Sequence, residues 1–144
     1  MPDPTRKRII AAIAAAFDSV RIYGLQPQVY LAQQSLSPPD LPAIIITPGI
    51  EEAERRYGED LLTMPVTVSA TAPLYGHPVV YATEELLALI RETVPGAMSA
   101  GITTLEDIRY TRGGVEEWPE PGGQTATVFA EFAVIYTTSA NSSY

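Results

Sequence analysis

Thr125-Ala126-Thr127-Val128-Phe129-Ala130-Glu131-Phe132-Ala133-Val134-Ile135-Tyr136-Thr137 is the stretch on which the reading of the whole chain turns. Side chains along a strand point alternately to opposite faces. Ala126, Val128, Ala130, Phe132, Val134 and Tyr136 therefore share one face. Thr125, Thr127, Phe129, Glu131, Ala133 and Ile135 share the other. Both sets are largely apolar, so the stretch predicts a strand lying centrally in a sheet or in an interface.

Working outward, a second long strand is expected over 61–72. Val66, Val68, Ala70 and Ala72 fall on one side; Thr67, Ser69 and Thr71 fall on the other. Pro65 weakens one end of it or sets that end on an edge. Ala43-Ile44-Ile45-Ile46-Thr47, bracketed by Pro42 and Pro48, predicts a strand buried on both faces and hence central. Val29-Tyr30-Leu31 reads as a short strand, and 102–112 as another with Ile108 and Tyr110 inward.

Two helices complete the set. The first is expected from Pro4, capped by Asp3, to about Ser19, with Ile9, Ile10, Ile13, Phe17 and Val20 on one stripe. The second starts at Pro78 and runs to Thr93, carries Val79, Thr83, Leu86, Leu87, Ile90 and Val94, and stops at Pro95-Gly96. Residues 35–42 hold three prolines and read as a loop; 49–60, 73–77 and 113–123 read as loops as well.

The resulting order, α-β-β-β-α-β-β, predicts an α+β fold in two layers, with both helices on one face of a mostly antiparallel mixed sheet. Residues 1–138 are expected to form a single domain, with 139–144 as a polar tail. Such an order leaves no third layer to cover the second face of the sheet. An apolar sheet face without cover calls for a partner, so oligomerisation is expected.

Composition narrows the function classes. The 144 residues suit one domain, and 46% of them are hydrophobic, enough for a core. The absence of cysteine removes disulfides, thiolate nucleophiles and cysteine-bound metals together. A formal charge of −8 disfavours a nucleic-acid backbone or an anionic membrane. Apolar runs fall short of the ~18–20 residues a spanning helix requires. Arg6-Lys7-Arg8 before an apolar stretch imitates a secretory leader, but the helical spacing of Ile9, Ile13 and Phe17 argues for a helix packed on a sheet.

Motifs for chemistry are scarce. His77 is the sole histidine and stands in a Gly-His-Pro turn, whereas a metal needs several converging ligands. Ala97-Met98-Ser99-Ala100-Gly101 imitates a nucleophile elbow, but a helix precedes it and a strand follows, the reverse of what an elbow requires. Glu51, Glu52 and Glu54, like Glu116, Glu117 and Glu120, sit in charged or Gly/Pro-rich stretches and read as solvated. A phosphate-cradling glycine loop is absent. Asn141-Ser142-Ser143 fits a glycosylation sequon in the tail. The expectation is a non-enzymatic protein with no cofactor and no metal.

Candidates for protein contact remain. Residues 49–60 read as an exposed, mobile hairpin loop in which Arg55 and Arg56 stand among Glu51, Glu52, Glu54, Glu59 and Asp60. A loop of two signs suits a neighbouring subunit or another protein of the assembly and would set register more than affinity; a merely solvated loop is the other reading. Trp118 either tucks beneath its own loop or anchors a partner.

One resemblance covers nearly the whole chain. An Arg/Ala-rich opening helix, Arg6-Lys7-Arg8-Ile9-Ile10-Ala11-Ala12-Ile13-Ala14-Ala15-Ala16-Phe17, comes first. A Pro-rich entry to a hydrophobic strand follows, Asp40-Leu41-Pro42-Ala43-Ile44-Ile45-Ile46-Thr47-Pro48-Gly49, and then Met64-Pro65-Val66-Thr67-Val68-Ser69-Ala70. Glu84-Glu85-Leu86-Leu87-Ala88-Leu89-Ile90 and the closing strand 126–136 complete the pattern. In this order the chain resembles the tail terminator and tail-completion proteins of long-tailed phages and prophages. The resemblance is one of order and hydrophobicity and carries no catalytic signature.

That resemblance implies a structural protein of virion assembly, in the host cytoplasm and then in the virion tail. It implies a hexameric ring that caps the tail tube, stops its polymerisation and meets the head-tail connector protein. DNA would pass through the ring without specific binding, which an acidic lumen favours. Two other classes stay open: a head-completion or neck adaptor, and a small-molecule binding protein or enzyme of similar fold. A deep pocket with convergent polar groups would favour the latter; a flat or grooved surface would favour the ring.

Overall fold

The computed structural model describes residues 4–31, 41–74, 76–119 and 125–139. The elements are α1 (Thr5–Ala16), β1 (Gln28–Leu31), β2 (Ala43–Pro48), β3 (Glu52–Arg56), β4 (Glu59–Pro73), α2 (Val79–Thr93), a 3-10 helix (Val94–Ala100), β5 (Leu105–Glu117) and β6 (Thr125–Ser139). The six strands form one sheet in the order β1-β2-β4-β6-β5, and β3 pairs with β4 beyond the end of β2. Among the described residues only β1 and β2 run parallel, and every other pair is antiparallel. The class is α+β, as expected, with one more strand than the sequence predicted.

β4 and β6 are the backbone of the sheet. They pair along their full lengths, from Glu59 opposite Ser139 to Pro73 opposite Thr125. Their alternation sorts the side chains as the sequence indicated. Met64, Val66, Val68, Ala70 and Ala72 of β4 face inward with Ala126, Val128, Ala130, Phe132, Val134 and Tyr136 of β6. Against this face α1 lays Ile9 and Ile13, with Phe17 just past its end, and α2 lays Ala82, Thr83, Leu86 and Ile90. Each large apolar side chain so buried contributes ~1.5–3 kcal/mol. The apolar stripe of each helix holds it; among the described residues no side chain caps either N-terminus. Arg91, in the last turn of α2, complements the helix dipole and lies 4.7 Å from the centre of the Tyr110 ring on β5.

Several local expectations are corrected. Ile44 and Ile46 are fully buried but Ile45 is only half-buried, because the helices cover one face of β2. β2 lies between β1 and β4 rather than at the centre. Pro65 is neither at an edge nor near an end; β6 flanks it on one side, opposite Ala133. On its other side the ladder is interrupted: Gly49, Ile50 and Glu51 bulge between Pro48, opposite Val66, and Glu52, opposite Thr63. The ring nitrogen that cannot donate thus faces the bulge, where no ladder bond is required. The Pro65 carbonyl still accepts from the Gly49 amide at 2.7 Å. A Cβ on Gly49 would come within 2.7 Å of the Pro65 ring, so the residue must be glycine for the chains to approach.

The charged stretch expected as a loop is a strand and a tight turn. Nothing in Glu52-Ala53-Glu54-Arg55-Arg56 alternates apolar with polar, because all five residues are exposed. Their order comes from pairing with β4 rather than from burial. Likewise 113–117 continue β5: Gly113 pairs with Ala130 and Gly114 with Phe129. Neither glycine makes a turn; Gly113 serves close packing, while the space beside Gly114 is open. α1 ends at Ala16, short of Ser19. Pro95-Gly96 stops α2 but opens the 3-10 helix, which ends at Gly101 with a φ of 80°. The Asp3 cap, the loop at 35–40, Tyr75, the loop at 120–124 and the tail at 140–144 lie outside the described residues.

Candidate functional site

The second face of the sheet is the largest surface that the fold leaves open. Ile45 of β2, Leu61 and Pro65 of β4, and Phe129, Ala133 and Ile135 of β6 all stand half-buried on it. Threonines are interspersed, and Thr71 and Thr127 join across the strands at 2.9 Å. Arg112 reaches over from β5, bonding Glu131 at 3.0 Å and lying 5.4 Å from the centre of the Phe129 ring. Among the described residues both helices pack on the opposite face, so the uncovered face expected from the element order is present.

One end of this face is made by a β-hairpin that lies in the sheet, its β4 strand paired with β6 as far as Glu59. β3 and the start of β4 form its two strands, and Arg56 pairs with Glu59 around a two-residue turn, Tyr57-Gly58. Both turn residues have positive φ, 48° at Tyr57 and 83° at Gly58, the hand that matches strand twist in a hairpin of this length. Arg55 donates to Asp60 across the strands at 2.8 Å. The base of the hairpin is tied to α1: Arg6 donates to the Gly49 carbonyl at 2.7 Å and lies 3.8 Å from Glu51.

Beside that base the open face dips into a depression of about 230 Å3. Its walls are Ile50, Pro65 and Ala133, the hydroxyl-bearing Thr63 and Thr111, and the carboxylates Glu52 and Glu131. It is an open dip on a sheet, not a deep pocket with converging polar groups.

The candidate residues therefore do not form one site. Glu51, Glu52, Glu54, Arg55 and Arg56 all belong to the hairpin or its base. Glu52, Glu54 and Arg56 sit opposite Thr63, Leu61 and Glu59, on the open-face side; Arg55 sits on the helix side. Trp118 is 55% exposed and follows the far end of β5, where Glu117 pairs with Thr127. At ~3.3 Å per residue it lies roughly 40 Å along the sheet from the hairpin turn.

Two residues that sequence reasoning passed over are the most exposed apolar side chains described: Tyr57 at the turn (104%) and Ile50 at the bulge (85%). The only signal was the Tyr57-Gly58 pair between charged runs, weaker than the Asn-Gly that marks such a turn.

The remaining motifs resolve simply. The His77 ring stacks on that of Tyr23, with centroids 4.6 Å apart and planes 11° from parallel. Burial, and secondarily the charge of Glu85, push the Tyr23 hydroxyl above its usual pKa of 10.0. Ala97 to Gly101 lie on and just after the 3-10 helix, with Ser99 exposed. Among the described residues no group of three His, Asp or Glu side chains is placed to hold a metal ion, and no helix is long and apolar enough to cross a membrane. No protein-family model matches the chain, and no curated protein is detectably similar to it.

Proposed function

We propose that this protein is a tail terminator of a long-tailed phage or prophage: a structural subunit that assembles into a hexameric ring, caps the tail tube and offers the surface that joins the head. The observation that carries the reading is the uncovered, half-apolar sheet face, with a charged hairpin at one end of it. A two-layer domain that keeps Ile45, Leu61, Phe129 and Ile135 half-exposed on one flat surface gains by covering it with protein. The hairpin supplies a second, chemically different surface on the same subunit. Contacts between unlike surfaces are the kind that close into rings. The negative net charge supports a lumen through which DNA slides without being held.

Light scattering across a concentration series, alone and with the tail-tube protein of the same phage, tests this reading. The expected result is a mass six times that of the 15.6 kDa chain, alone or once the tube protein is added, with rings at tube ends in electron micrographs. A strict monomer that ignores the tube protein overturns it.

A further inference from the structure

We propose that the hairpin turn of one subunit docks into the depression at the hairpin base of a second copy, with Tyr57 as the inserted anchor and Arg56 paired to the Glu52 carboxylate of the receiving copy. This inference rests on the ring reading only for the closure of successive contacts; the contact itself is a property of the chain alone.

Three observations on the surface meet in it. The first is the character of the turn. A bulky residue at positive φ is strained, and a fully exposed tyrosine gains nothing from burial. Asparagine would suit the first turn position better, yet Tyr57 holds it with a φ of 48° and complete exposure. An aromatic kept at the end of a hairpin under those two costs is explained by a surface elsewhere that receives it.

The second is the fit. The open depression spans about 230 Å3, room for one aromatic ring against Ile50, Pro65 and Ala133, with Thr63, Thr111 and the carboxylates Glu52 and Glu131 at its rim to meet a phenol hydroxyl. Tyr57 cannot fill its own depression. Eight residues of extended strand separate it from Pro65, roughly 25 Å.

The third is charge. Arg55 is engaged by Asp60, but Arg56 makes no ion pair among the described residues, and neither does Glu52. Both lie on the open-face side of β3, Arg56 next to the turn and Glu52 on the wall of the depression. A copy seated tip-to-base brings the free cation to the free carboxylate. Donor and acceptor surfaces differ, so each subunit gives one contact and receives another.

Sedimentation of the isolated protein over a concentration series reads the contact. The wild-type chain is expected to self-associate below about 1 mM. Tyr57→Asn keeps the turn, since Asn-Gly is its preferred sequence, and is expected to weaken association at least ~tenfold. Arg56→Glu weakens it, and adding Glu52→Arg to the same chain restores it. The chain contains no cysteine, so Tyr57→Cys with Ala133→Cys can form disulfides only between copies, the two positions of one copy being too far apart to bridge. The expected product is a ladder of covalent oligomers. A wild-type monomer at that concentration, an unaffected Tyr57→Asn, a charge swap without rescue, or no ladder overturns the inference. Association through this contact without recognition of the tube removes the terminator reading and leaves the contact; tube capping by a ring with other cross-links does the reverse.

Discussion

Glycine shows how single residues carry different meanings in this chain. Gly113 and Gly114 look like loop residues in sequence, yet both lie in β5. A Cβ on Gly113 would meet the Phe129 carbonyl oxygen and the Tyr110 hydroxyl at 2.7 Å and a Leu87 methyl at 3.0 Å. A Cβ on Gly114 would meet nothing within 4 Å. Gly113→Ala is therefore expected to destabilise the fold by ~1–3 kcal/mol, the cost of overpacking against backbone, and Gly114→Ala to be near neutral. Urea denaturation of the pair checks this; equal midpoints would mean that β5 yields locally to the added carbon.

At the scale of elements, two of the sheet's edge strands, β5 and β3, are protected differently. β5 carries three irregularities, at Glu106, Thr111 and Glu116, where its register against β6 shifts. Bulges of this kind disrupt an edge as a template for further strands, and Thr111 returns a hydrogen bond to the Glu131 carbonyl at 2.9 Å. β3 has no bulge and is blunted by charge instead. The arm it forms is held at its base by Arg6 of α1. Arg6→Ala removes the bond to the Gly49 carbonyl and the pairing with Glu51. Amide exchange in β3 is expected to quicken several-fold while β6 stays protected, because local opening and global unfolding are separate events. Uniform exchange across both strands would show that the arm is rigid without its tie.

The molecule as a whole is a one-sided sandwich. Its core lies between the helices and one sheet face, and its other face carries half-buried Leu61, Phe129 and Ile135. Ile135→Lys places a charge on that open face next to Thr63, its cross-strand neighbour. The fold is expected to survive, since a long side chain there can reach solvent, and the assembly to fall to monomers by light scattering. Retained assembly would move the interface away from this face; loss of cooperative melting would show that Ile135 belongs to the core.

What the chain declares locally was legible without coordinates. The alternation in β4 and β6 and the stripes of α1 and α2 specified the element types and the inward residues, because periodicity is a property of consecutive side chains. The element order also implied an uncovered sheet face. The charged strand β3 was not legible. Its residues touch no core, so no periodicity marks them, and only pairing with β4 makes them a strand. The continuation of β5 through Gly113 was hidden for a related reason: the glycine is required by what approaches it from Leu87 and Phe129, residues distant in sequence. The candidate site followed the same division. Sequence found the charged arm and Trp118 but set no distance between them. Register along β4 and β6 put them at opposite ends of the sheet, and the bulge opposite Pro65 made the depression beside the arm. Periodicity is local and can be read from the sequence alone; pairing register, edges and close approach are relations between remote segments, and the tertiary structure decided them.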